Sequence, residues 1–189
     1  MNIFYLDDDP IQCAKWHVDK HIVKMITEYC QLLSTAHLVL DGQMYYGKTK
    51  NNRNIKRWSL SDHREDVLFK ASHVNHPSNV WTRTSLSNYM MLFKLYMACI
   101  AEYKYRYGKV HGSSKPSVYL QRPPKNIPDI GLTEMPQAMP EYCKVPNDPI
   151  SGYRNYYINE KAYFANWKNR EKPLWLSLIH ISEPTRRLN

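Results

Sequence analysis

Glycine is scarce in this chain: six among 189 residues, with no G-x-G-x-x-G dinucleotide fingerprint. A phosphate-loop or dinucleotide enzyme is therefore not expected. Cysteine is equally thin. Cys13, Cys30, Cys99 and Cys143 stand far apart without a C-x-x-C pair, so they read as reduced, buried thiols and not as disulfides or a zinc array. No apolar run approaches the roughly 20 residues of a membrane span. No basic-then-apolar start with a small-residue cleavage site is present. The expectation is a protein of the cytoplasm with no membrane partner. Strand-like alternation and internal repeats are also missing.

What is abundant is positive charge and tyrosine. Lys and Arg number 26 against 17 Asp and Glu, for a net charge of +9 and a pI near 9.3. That favours an anionic partner, either a nucleic acid or a small phosphate-bearing ligand. Tyrosine supplies 15 residues, each a flat apolar face with a polar tip that suits stacking on bases.

The order of breakers predicts an all-α fold with three main helices, at about 10–40, 79–107 and 150–169, in a single helical domain over residues 1–175. Asp9 caps and Pro10 opens the first, which runs without Gly or Pro to Asp41-Gly42. The second follows Pro77 and Ser78 and stops at Gly108. Residues 41–77 read as loop, with a short helix near 61–72. Residues 109–149 are rich in proline yet contain apolar anchors, which predicts a long ordered loop wrapping the helices. The segment Leu176 to Arg186, LSLIHISEPTR, resembles a translated sequencing adapter, which makes residues 176–189 a non-native tail in expectation. Its removal would leave the chain strongly basic.

On the first helix Val18, Ile22, Met25, Tyr29, Leu32 and Ala36 form an apolar stripe. His17, His21, Lys24, Glu28 and Gln31 form a second stripe, about 100° away at 100° per residue. Such a stripe beside a core reads either as a pocket wall or as a solvated, charge-paired flank. The His17/His21 spacing suits two zinc ligands, but Val18 stands where a metalloprotease needs Glu, and Lys20 and Lys24 would repel a dication. No metal and no cofactor are expected. The same groups suit an anion. Lys20 and Lys24 would supply charge, Arg83 and Arg154 would close around a phosphate, and Trp81, Tyr153, Tyr156 and Tyr157 are candidates for stacking.

Two stretches, VDKHIVKMITEYCQLL and NHPSNVW…ACIAEYKYRYG, resemble the pyrimidine-dimer DNA glycosylase (endonuclease V) family over about a third of the chain. The chain as a whole is also similar to small tailed-phage proteins of unassigned role that begin M-N-I-F-x-L-D. The glycosylase resemblance implies an all-α fold. It matches Glu28 to the catalytic glutamate and puts His21 and Lys24 on a DNA-facing side. That family attacks the sugar with the α-amine exposed after Met1 removal. Residue 2 here is Asn, before which Met1 should be retained, burying or displacing the nucleophile.

The leading expectation is therefore a phage-encoded binder, active in the cytoplasm of an infected bacterium. It would sequester a small phosphate-bearing immune signal, a cyclic nucleotide or ADP-ribose-type molecule, through His17, Lys20, His21, Lys24, Glu28, Trp81, Arg83, Tyr153, Arg154 and Tyr157. The alternative is a DNA glycosylase/AP lyase with Glu28 catalytic and DNA as partner. A second alternative is a nucleotide phosphodiesterase using His17 and His21 as an acid–base pair. A homo-oligomer is compatible with each.

Overall fold

The computed structural model describes residues 1–177, so all but the first two residues of the expected tail 176–189 lie outside the described residues. Among the described residues the chain forms seven α-helices and one two-stranded antiparallel sheet. The fold is thus mixed helix and sheet, which corrects the expectation of an all-α protein with three main helices. No described helix is long and apolar enough to cross a membrane.

The expected first helix is two helices. In α1 (Pro10–Trp16), Asp9 accepts the Ile11 N–H at 3.0 Å and Pro10 occupies the first turn. The chain then turns extended at His17 and Val18 before α2 (Asp19–Asp41). The break is held from outside. Arg106, 2% exposed, donates to the carbonyls of His17 (2.9 Å) and Lys15 (2.8 Å). Its remaining partners are carboxylates, Asp19 at 2.9 Å and Glu102 at 2.7 Å, so the buried guanidinium is paired on every side. Nothing at positions 17–18 breaks a helix by itself. A residue nearly 90 positions later does so.

The second expected helix divides at Ser85 into α3 (Pro77–Thr84) and α4 (Leu86–Tyr107). Here the proline-rich segment intrudes. Leu86 N–H donates to Pro128 O at 2.7 Å, and Asn88 exchanges two hydrogen bonds with Thr133. The helix ends as expected at Gly108, which takes the left-handed conformation (φ 64°). The proline-rich segment carries its own short α5 (Ser117–Leu120). The third expected helix stops early. α6 spans Pro149–Glu160, followed by a 3-10 turn at Ala162–Phe164, an irregular stretch, and α7 (Leu174–Ser177).

Where a loop was expected, β1 (Gln43–Lys48) pairs with β2 (Asn54–Ser59). Asn52 closes the turn in the left-handed region (φ 57°), which Asn tolerates better than most side chains. Met44, Tyr45, Tyr46 and Ile55 are all exposed. With no face buried there is no hydrophobic alternation to read.

α2 is the centre of the core, packed on α3 and α4, while α1 packs on α4. All six residues of its apolar stripe are fully buried. The extended segment 1–9 is pinned through Ile3, Phe4 and Leu6, all buried. That pinning brings the start of the chain to the middle of α2.

Candidate functional site

The Met1 α-ammonium lies 3.8 Å from Glu28 Oε2, and the Asn2 N–H donates to the same oxygen at 3.3 Å. Lys24, one turn earlier on α2, reaches the other oxygen at 3.1 Å. The Met1 side chain is only 2% exposed although the residue as a whole is half-buried, so what Met1 offers to solvent is its main-chain end. Glu28 is 14% exposed and Lys24 67%. The carboxylate is therefore recessed under an amine, with an exposed cation at its mouth.

Asn2 clamps this geometry. Its Nδ2 donates to Ala138 O at 2.8 Å, and its Oδ1 lies 2.8 Å from the Tyr153 hydroxyl and accepts the Ile3 N–H at 3.0 Å. Tyr153 OH also lies 2.8 Å from Pro136 O, so α6 and the proline-rich segment grip one residue. Phe4 N–H donates to the Tyr29 hydroxyl at 3.2 Å, which ties the segment to α2 a second time. His76, the N-cap of α3, accepts the Ser78 N–H on Nδ1 at 3.2 Å. Its pKa is lowered by burial first, then by the Met1 ammonium and His73, while Glu28 pulls the other way. It is thus an imidazole within the field of both members of the pair.

The polar stripe divides. Lys24 and Glu28 belong to the site, but His17 and His21 lie behind it. His17, fully buried, donates from Nδ1 to Cys13 O (2.7 Å) and accepts from the Tyr29 hydroxyl on Nε2 (2.9 Å). Burial, with Arg106 nearby, pushes its pKa down to about 4. His21 stacks on Phe4 with ring centroids 4.1 Å apart and meets the Tyr157 hydroxyl at 2.6 Å. Burial, then His17 and the nearby lysines, lower it to about 3. Lys20 sits over the Phe164 ring at 4.8 Å.

The remaining sequence candidates are held elsewhere. Trp81 Nε1 donates to Thr133 O (3.1 Å), and Arg83 donates to Val74 O (2.8 Å). Arg154 donates to Leu6 O (3.0 Å) and lies over both Trp16 and Trp175. Tyr157 is fully buried beside His21. Sequence reasoning named the amine but set it aside on the identity of residue 2, and it missed the Asn2 clamp and His76. The His76-Pro77 pair at a helix start was the available signal for the last.

The spacing G-x-x-x-x-G-K-T does occur, from Gly42 to Thr49, which the glycine count alone obscured. In the structure it runs as strand β1 and enters a turn and a second strand, with no helix following. A phosphate cradle needs consecutive N–H groups at a helix start, so this stretch is not one. Among the described residues no group of three or more His, Cys, Asp or Glu is placed to hold a metal ion. Compared with family models, curated proteins and solved structures, the chain matches none.

Proposed function

We propose that the protein is a DNA glycosylase with lyase activity, of the pyrimidine-dimer type, in which an amine at the start of the chain attacks the sugar and Glu28 handles the protons. The observation that carries this reading is the pairing of amine and carboxylate. With Met1 first, its ammonium is 3.8 Å from Glu28; with Met1 removed, the Asn2 nitrogen at 3.3 Å becomes the amine. Either chain start supplies a nucleophile, so Asn at position 2 does not argue against the chemistry.

In the neutral form the amine attacks C1′ of a flipped nucleotide. The N–C1′ bond forms as the glycosidic bond breaks, the base leaves with the bonding pair, and the amine's proton passes to Glu28. Glu28 then returns that proton to O4′ as the C1′–O4′ bond breaks and the sugar ring opens, and the resulting iminium acidifies C2′. Removal of a C2′ proton expels the 3′ phosphate and cuts the strand. Lys24, exposed at the mouth of the site, would meet a DNA phosphate. Borohydride reduction with abasic DNA tests the reading. A stable adduct is expected from the parent chain and none after reductive methylation of its terminal amine. An adduct that survives methylation would assign the nucleophile elsewhere.

A second reading, sequestration of a small phosphate-bearing nucleotide, draws support from a different feature. A cleft of about 640 Å³ is lined by Lys15, Trp16, Arg170, Lys172 and Trp175, with the two indoles edge to face. It offers stacking faces and cations together. A nucleotide recovered intact from the heated protein would favour it. The phosphodiesterase reading has no comparable support, since His17 and His21 are each committed to partners inside the core.

A further inference from the structure

We infer that the β1–β2 hairpin is an arm that binds duplex DNA, an inference that rests on the proposed action on DNA and extends it to a second surface. Between Gly42 and Ser59 stand Lys48, Lys50, Arg53, Lys56 and Arg57 and not one acidic residue. None of the five forms an ion pair among the described residues. The register sets Tyr46 opposite Lys56 and Tyr45 opposite Arg57. Adjacent positions along a strand point to opposite faces, so each face of the ribbon presents a tyrosine beside a cation. Tyr46 is 67% exposed and Tyr45 49%. Large apolar surface left in water beside unpaired positive charge marks a binding surface for a polyanion with flat or grooved apolar faces.

The dimensions favour the duplex. Two six-residue strands make a ribbon about 20 Å long, and the major groove, about 12 Å wide, admits a two-stranded ribbon. The root is stiff, as an arm requires. A Cβ on Gly42 would lie 2.5 Å from Leu38 O and 2.8 Å from Ser59 O, so the strand leaves the helix where only glycine fits. Beside it the Asp41 carboxylate holds Arg64 (2.7 Å) and the N–H groups of Lys125 and Asn126 (3.1 Å each). Burial raises the Asp41 pKa, but these hydrogen bonds and the Arg64 charge lower it more, so the brace stays ionised near neutrality. Gly42 lies fourteen residues beyond Glu28, roughly 21 Å along the helix.

The test compares the full chain with a variant carrying Lys48→Ala, Lys50→Ala, Arg53→Ala and Lys56→Ala, all at exposed positions, with circular dichroism to confirm folding. Binding to a 20-base-pair duplex is followed by fluorescence anisotropy as salt is raised. The expected result is an affinity weakened more than tenfold at 0.15 M salt. The log–log salt slope should flatten by about 3.6, or about 0.9 for each of the four phosphates that the variant no longer neutralises. Unchanged affinity and slope would overturn the arm. So would equal weakening for duplex, single strand and an acidic protein, which would make it a general polyanion surface. Borohydride trapping on abasic duplex at saturating protein is measured in parallel and should be the same in both chains. Trapping with no arm effect removes only this inference; an arm effect with no trapping in either chain removes the glycosylase reading and leaves the arm.

Discussion

Lowering the pH from 7 to 5 should destabilise this protein well before its carboxylates protonate. Three imidazoles are neutral in the folded state. His17 and His37 are pushed down to about 4 and His21 to about 3, in each case by burial first. The hydrogen bonds agree. His37 accepts from Arg64 on Nδ1 (2.9 Å) and donates from Nε2 to the Tyr89 hydroxyl (2.8 Å), an arrangement with no room for a second ring proton. On unfolding, each ring returns to an ordinary value near 6.5 and takes up a proton. The stability these rings contribute is fully present above about pH 6.5 and is lost as pH falls toward the folded values. Between pH 7 and 5 the linkage amounts to about 2 kcal/mol for each ring, or about 6 kcal/mol together. That is comparable to the whole stability of many domains. The more exposed His76 and His111, also lowered, act in the same direction. Asp41 and Glu102, lowered by their arginine partners, lose their contribution only below the ordinary carboxylate range. Urea unfolding at the two pH values measures the difference. In His17→Gln the loss between pH 7 and 5 should shrink by about 2 kcal/mol, whatever the variant costs at pH 7. Equal stability at pH 7 and 5, or an unchanged pH dependence in the variant, would refute the assignment of neutral buried rings.

Arg106→Met should cost about 2–4 kcal/mol in urea unfolding, because it leaves the carbonyls of Lys15 and His17 at the α1–α2 break without their donor, while Glu102 keeps Arg170 (2.8 Å) and Asp19 keeps the Lys168 N–H (3.0 Å); a cost under about 1 kcal/mol would mean that the break is held by something else. A chain shortened to end at Ser177 should melt with the full chain, as expected of a non-native tail, and a fall of several degrees would give residues 178–189 a structural role. Ending instead at Trp175 should lower the melting temperature, since Leu176 is 7% exposed and belongs to the core.

Much of the scaffold could be read from local signals, and the failures share one physical cause. Asp9-Pro10 and Gly108 act through their own backbones, and both helix ends fall where those residues stand. The breaks at His17 and Ser85 are made by distant partners, Arg106 in one case and the segment around Pro128 and Thr133 in the other. No local pattern carries that information. The hairpin escaped because neither of its faces is buried. The site was half legible. Glu28 and Lys24 are neighbours on one helical face and were found together. The amine comes from the other end of an extended segment whose course is set by Phe4 and Tyr29. His17 and His21 looked like a pocket wall because a continuous helix would carry them in line with Glu28. The break after Trp16 turns His17 into the core instead.

The most direct test of the account is to locate the covalent bond. Abasic duplex DNA is incubated with the protein and reduced with borohydride, the adduct is digested, and the modified peptide is sequenced by tandem mass spectrometry. The account predicts a sugar remnant on the α-nitrogen of the first residue, Met1 or Asn2, and slower turnover with undiminished DNA affinity in Glu28→Gln. A remnant on a lysine side chain such as Lys24, or no adduct at all from a protein that binds the DNA, would contradict it.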